Sequence, residues 1–224
     1  MVKSHPVDIL HLDDALLIIN KPAGLPVLPD GWEPEAPYLM KLLEAEHGRL
    51  WIVHRLDKVT SGVMVVARTK EAHRSLSMQL ERHEARKAYH AVVNGVPAWD
   101  ERTASQSLRT NVGHKHRTAI DIRYGKRSTT SFRVMERFRA HALLEAHPLT
   151  GRTHQVRVHA EALNCPLLGD LLYSAPPTDI IGRPALHAYS LSFIHPESGQ
   201  TVTFIAPYPE DFEQALRALR GSRG

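Results

Sequence analysis

The sequence contains a single cysteine, Cys165. That excludes an internal disulfide and any zinc site built from several thiolates, and it fits a reducing compartment. Long apolar runs are missing as well. Stretches such as Ala15–Ile19 and Val63–Ala67 fall far short of the ~18 residues that a membrane span requires. His5, Pro6 and Asp8 interrupt the N-terminal stretch before a secretory apolar region can form. These absences predict a soluble, cytoplasmic protein. Aromatic residues make up 6% of the chain, which disfavours a sheet that stacks RNA bases on rows of rings. Glycine (13) and proline (15) are too sparse among 224 residues for a collagen-like or low-complexity chain. No self-similarity of 20–50 residues occurs, so solenoids and propellers drop out.

What is present is ordinary globular composition, 42% hydrophobic and 23% charged, long enough to bury a core in one domain or two joined lobes. The charge is unevenly spread. Residues 1–49 carry 4 basic and 8 acidic side chains, residues 50–160 carry 20 and 9, and residues 161–224 carry 4 and 7. Ten basic residues fall within 102–139: Arg102, Arg109, Lys115, Arg117, Arg123, Lys126, Arg127, Arg133, Arg137 and Arg139. A localised positive field on an otherwise acidic chain fits a polyanionic partner. A solvated face accounts for it equally well on composition alone.

Local patterns mix strands and helices without regular βαβ alternation, which favours an α+β fold. Pro22–Pro37 reads as a loop leading to a helix near Tyr38–His47 that Gly48 closes. Gly62–Arg68 reads as a buried strand, after which Thr69 caps a helix with Ala72, Leu76 and Leu80 on one face. Ala88–Val93 and Ser131–Met135 read as strands, and 102–130 as a loop region. Thr153 is expected to cap a helix burying Val156, Ala160 and Leu163. Pro209, Glu210 and Asp211 open a last helix that buries Phe212, Ala215, Leu216 and Leu219.

Several familiar motifs fail. Gly125-Lys126-Arg127-Ser128 lacks the upstream glycine of a phosphate loop and has Arg127 between lysine and serine. No G-x-S-x-G or H-E-x-x-H occurs, and His154 and His159 are five apart, on different faces of a helix. Two segments hold. His54-Arg55-Leu56-Asp57-Lys58-Val59-Thr60-Ser61-Gly62 places a carboxylate between cations just before the buried strand, although a strand-start turn would use the same residues. Pro148–His159 sets Gly151 and Arg152 before a helix, although a capped helix with Arg157 paired to Glu161 would do the same.

Together these segments resemble the RluA-type pseudouridine synthases, which isomerise uridine to pseudouridine in RNA. The resemblance runs through NKPAG at 20–24, HRLDKVTSG at 54–62, Lys87-Ala88-Tyr89, TGRTHQVRVH at 150–159, Leu168-Gly169-Asp170 with Tyr173, Leu186-His187-Ala188 and His195-Pro196. It implies a mixed, mostly antiparallel sheet flanked by helices, with Asp57 in a central cleft. An S4-type RNA-binding domain is not recognised, so one stand-alone catalytic domain over 1–224 is expected. The resemblance makes Asp57 the nucleophile, Arg152 its guanidinium partner and Tyr89 the ring that stacks on the base. It gives Leu186 as an apolar floor, and Arg55, beside Leu56, as the filler of the stack left by a flipped base. Lys21, Arg157 and the basic segment are expected to hold phosphates of a ribosomal or transfer RNA. The isomerisation calls for no cofactor and no metal, and a monomer is expected. An inactive RNA-binding module of the same fold and a metal-dependent RNA hydrolase are the alternatives. The presence of Asp57, Tyr89 and Arg152 weighs against the first, and the lack of a recognisable ligand cluster against the second.

Overall fold

A computed structural model describes residues 7–29, 36–113 and 117–221. In chain order its strands are β1 (Asp8–Leu12), β2 (Leu16–Lys21), β3 (Trp51–Ile52), β4 (Ser61–Ala67), β5 (Arg86–Asn94), β6 (Glu101–Val112), β7 (Arg117–Ile120), β8 (Lys126–Arg137), β9 (His141–Pro148), β10 (Leu186–Ile194) and β11 (Thr201–Ile205). The helices are α1 (Leu39–His47), α2 (Lys70–Glu81), α3 (Gln155–Ala162) and α4 (Glu210–Gly221), with a single 3-10 turn at Leu171–Tyr173. The result is an α+β fold with a largely antiparallel sheet. It divides into two compact units, Met1–Arg86 with Ala188–Pro207, and Lys87–His187 with Tyr208–Gly224.

In the first unit, antiparallel ladders join β1 to β2 and β2 to β4, and β10 pairs with β11. The apolar runs of β2 and β4 are buried nearly throughout, which is why both read as continuous hydrophobic segments rather than alternating ones. Gly62 in β4 is there for a close approach. A Cβ at that position would lie 2.2 Å from the Ala188 carbonyl oxygen, and its φ of +120° excludes ordinary side chains. Thr69 caps α2 as its sequence predicts, its side chain accepting from the Ala72 N–H at 3.1 Å. The Gln79 amide then exchanges two 2.8 Å hydrogen bonds with the backbone of Ile194, fastening α2 to β10.

The second unit is built on antiparallel strands in the order β5-β9-β8-β6-β7. Alternation along β5 and β9 sends Ala91, Val93, Leu144 and Ala146 to one face, where they meet Val156 and Ala160 of α3. Val92 and Leu143 face the other way, against Phe212, Ala215, Leu216 and Leu219 of α4. The four apolar residues expected to bury α4 are the ones that do.

Two sequence expectations need correction here. Most of 102–130 is strand, not loop: β6 alone spans 12 residues, of which only Ala104 and Leu108 are buried. Two apolar residues four apart, with Gln106 between them on the same face, leave no apolar alternation to read. Nor does Thr153 cap α3. The N-cap is His154, held in the left-handed region with φ 55° and no side-chain cap bond, and Leu163 is half-buried rather than enclosed.

Candidate active site

The segment bearing Asp57 is tied down from beneath. Lys21, fully buried at the end of β2, lies opposite Gly62 in the ladder with β4. Its ammonium donates to the carbonyls of Pro22 and Leu25 at 2.8 Å and to that of Lys58 at 3.4 Å. The Gly24 N–H donates to the same Lys58 carbonyl at 2.7 Å, and the Thr60 N–H closes a turn on the Asp57 carbonyl at 3.0 Å. These bonds fix the backbone on either side of Asp57. Its side chain is half-buried, Leu56 is buried and Arg55 is exposed. His54 contributes from the other side, its Nε2 accepting the Val65 N–H at 3.2 Å.

In the second unit, the loop that carries Arg152 hangs on one buried amide. Gln155 Oε1 accepts from the Thr150 hydroxyl at 2.6 Å and from the Arg152 N–H at 3.0 Å. Its Nε2 donates to the Thr129 carbonyl at 3.0 Å and the Thr130 hydroxyl at 2.9 Å. Every hydrogen-bonding position of that amide is therefore used. Beside it, the Ser128 hydroxyl donates to the Gln106 carbonyl, so it accepts from His159 Nε2 at 3.0 Å, while Thr130 bonds His159 Nδ1 at 2.8 Å. Burial pushes the His159 imidazole down to about 4, so it is neutral at pH 7. Arg152 itself is exposed, and among the described residues its guanidinium has no ion-pair partner. Tyr89 is half-buried and packs with Leu186 against the cluster around α3.

Lys21 and Arg157 do not match their expected role as phosphate contacts. The Lys21 ammonium is spent on carbonyls. Arg157 is 5% exposed and Asp170 1%; the two form a bidentate pair with Nε–Oδ2 and Nη2–Oδ1 both at 2.7 Å. The Arg157 guanidinium also lies 4.9 Å from the centre of the Tyr173 ring. Tyr173 in turn bonds the Thr118 N–H at 2.9 Å and His154 Nδ1 at 2.9 Å. Both cations are buried and bonded within the protein. Glu161, the partner expected for Arg157, accepts instead from Ser174 at 2.6 Å.

The basic residues of 102–139 that are described, Arg102, Arg109, Arg117, Arg123, Lys126, Arg127, Arg133, Arg137 and Arg139, are all exposed; Lys115 lies outside the described residues. At the turn between β7 and β8, Asp121 accepts from the N–H groups of Arg123 and Tyr124, and the guanidinium groups of Arg109 and Arg123 lie 5.5 and 5.1 Å from the Tyr124 ring centre. This is a prefolded, cationic edge.

The family model for RNA pseudouridylate synthase matches residues 15–162, a span that contains Asp57, Tyr89 and Arg152. The chain belongs to the RNA pseudouridylate synthase family. It is 41% identical over 97% of its length to "Ribosomal large subunit pseudouridine synthase D" of Neisseria meningitidis serogroup A, and covers 62% of that protein. With an RNA pseudouridine synthase of Synechocystis it shares 42% identity over 96% of this chain and 69% of the relative. The solved structure of human RNA Pseudouridylate Synthase Domain Containing 4 superposes with a TM-score of 0.77 at 28% identity, over 95% of this chain and 93% of that one. The chain thus spans a little under two thirds of the length of the Neisseria synthase.

Sequence reasoning quoted Gln155 and Asp170 within the matching strings but gave neither a role. Gln155 carries no local signal beyond its position in the first turn of α3, and Asp170 becomes the partner of Arg157 only through the path of the chain. It also missed the grouping of His11, Asp13 and His195. There the two imidazole Nε2 atoms lie 2.6 and 3.0 Å from one Asp13 oxygen. Burial works to raise the Asp13 carboxyl, but hydrogen bonds from His11, His195, Leu16 and Ala15 outweigh it and hold the group at about 2. His195 Nδ1 accepts from the N–H groups of Glu197 and Ser198 at 3.3 and 3.2 Å. Its proton therefore sits on Nε2 and points at Asp13, which makes it a hydrogen-bond donor rather than a metal ligand.

Proposed function

We propose that this chain is an RNA pseudouridine synthase that acts as a cytoplasmic monomer, with Asp57 as nucleophile, Arg152 as the cation that keeps it ionised and Tyr89 as the stacking ring. The supporting observation is that all three lie within the family match, and each is borne on a segment whose backbone is fixed by buried bonds. Pseudouridine formation breaks the ribose–N1 bond, turns the uracil and rejoins it through C5, with loss of the C5 proton. Nothing is oxidised or hydrolysed overall. A carboxylate can open the reaction at C1′ or at C6. Enclosure of the base favours the neutral acid, and a guanidinium beside it restores the charge. Leu186 gives the uracil an apolar floor, and Arg55, exposed next to Leu56, fills the vacated stack once the base is flipped. The cationic strands β6 to β8 supply phosphate contacts. Ribosomal large-subunit RNA is the first substrate to try, since the Neisseria relative is named for it.

The test is tritium release from C5-labelled uridine in unmodified ribosomal and transfer RNA transcripts, with and without chelator. Wild type should release label and Asp57→Asn should not. Equal release by both would remove Asp57 from the mechanism. Tight binding without release by wild type would favour an inactive RNA-binding module. Loss of all release in chelator would point to a metal-dependent reaction.

A further inference from the structure

Lys87 stands at the start of β5, and its side chain is half-buried. Burial depresses its ammonium below the usual lysine range. Among the described residues it has neither an ion pair nor a hydrogen bond. A desolvated ammonium without an acceptor is unfavourable, and a methionine would fill the same space without that cost. The surroundings show where an acceptor fits. A Cβ on Gly151 would lie 3.7 Å from Lys87 Nζ, so the ammonium rests against the loop that leads into Arg152. Arg152, the next residue of that loop, also lacks an ion-pair partner among the described residues. The loop that meets the Lys87 ammonium thus also carries Arg152, and among the described residues no carboxylate is bonded to either.

Strand geometry adds a second constraint. Lys87 and Tyr89 are two residues apart on β5 and share its α3-facing side, about 6.8 Å apart along the strand. A nucleotide whose base lies over Tyr89 would bring its own backbone to Lys87. We propose that Lys87 binds the phosphodiester of the target nucleotide. The assignment rests on the synthase function above and adds to it a residue that anchors the flipped nucleotide by its charge.

The test compares wild type, Lys87→Met and Lys87→Arg on an unmodified large-subunit ribosomal RNA transcript. Three quantities are measured: the slope of log affinity against log salt, kcat and KM from tritium release, and Tm. Lys87→Met should lower the magnitude of the salt slope by about 0.7–0.9, one phosphate's worth. It should weaken kcat/KM by about 10- to 100-fold, mainly through KM, without lowering Tm. Lys87→Arg should restore the slope. An unchanged slope in Lys87→Met overturns the proposal. So does a loss confined to kcat, which would put Lys87 in the chemistry, or a Lys87→Met chain that no longer folds, which would make the lysine structural. A wild type that binds the transcript without releasing tritium would defeat the synthase reading alone, because the slope comparison needs only binding.

Discussion

Asp170→Asn takes the charge from a carboxylate that is 1% exposed and bonded twice to a guanidinium that is 5% exposed. The asparagine keeps one carbonyl acceptor, but its amide turns a donor toward the Arg157 donors, and the cation stays buried without a counter-ion. Removing one member of such a pair costs about 3–5 kcal/mol, a large part of the roughly 5–15 kcal/mol that keeps a domain folded. With a urea dependence of about 2–3 kcal/mol/M, the unfolding midpoint should fall by about 1.5 M, and Tm by about 10 °C. Arg157→Met combined with Asp170→Leu should recover much of that loss, because neither charge is then stranded. Arg157→Lys should leave the salt slope of RNA binding at the wild-type value, since the guanidinium is spent inside the protein. The reasoning fails if Asp170→Asn moves the urea midpoint by less than about 0.3 M, or if Arg157→Lys changes the salt slope.

Gly62→Ala would set a methyl 2.2 Å from the Ala188 carbonyl oxygen at a φ of +120°; overpacking and backbone strain together should cost about 3 kcal/mol or more, read as a large loss of soluble, cooperatively melting protein. His159 sits at about 4 in the fold against about 6.5 in the unfolded chain. The unfolded state therefore takes up the proton first, and stability should fall as pH drops from about 6.5 toward 4, by about 3 kcal/mol at the lower end. His159→Gln should flatten that part of a urea-midpoint titration, and an unaltered profile would refute the assignment. Cys165 is buried and its thiol is pushed up to about 11, so iodoacetamide should alkylate it in urea and leave it untouched in the native protein; rapid native alkylation would contradict the burial.

Elements with a strong local signal were legible without the structure. β4 is an uninterrupted apolar run, α2 begins at a threonine cap, and α4 carries its four buried residues at helical spacing. The candidates Asp57, Tyr89 and Arg152 come from another kind of signal, since each sits in a short string of residues close along the chain. Strands β6 and β7 and the first part of β8 were not legible, although Ser131–Met135 within β8 read as a strand. Their buried positions are largely polar or small, such as Ala104, Ser128 and Thr130, so no apolar alternation marks them; they are strands because the backbone of β9 offers β8 a ladder and β8 offers β6 one.

The sequence alone determined where charge accumulates, which segments are apolar enough to be buried, and which short strings resemble the family. Those properties belong to residues and their near neighbours. The tertiary structure decided what each cation does. Lys21 and Arg157 are as basic in the sequence as Arg55 and Arg152, yet Lys21 is buried among carbonyls and Arg157 against Asp170, 13 residues along the chain, while Arg55 and Arg152 stay exposed. A charge serves its own fold or stays open to an outside partner according to where its counterpart lies, and that is settled only when distant segments come together.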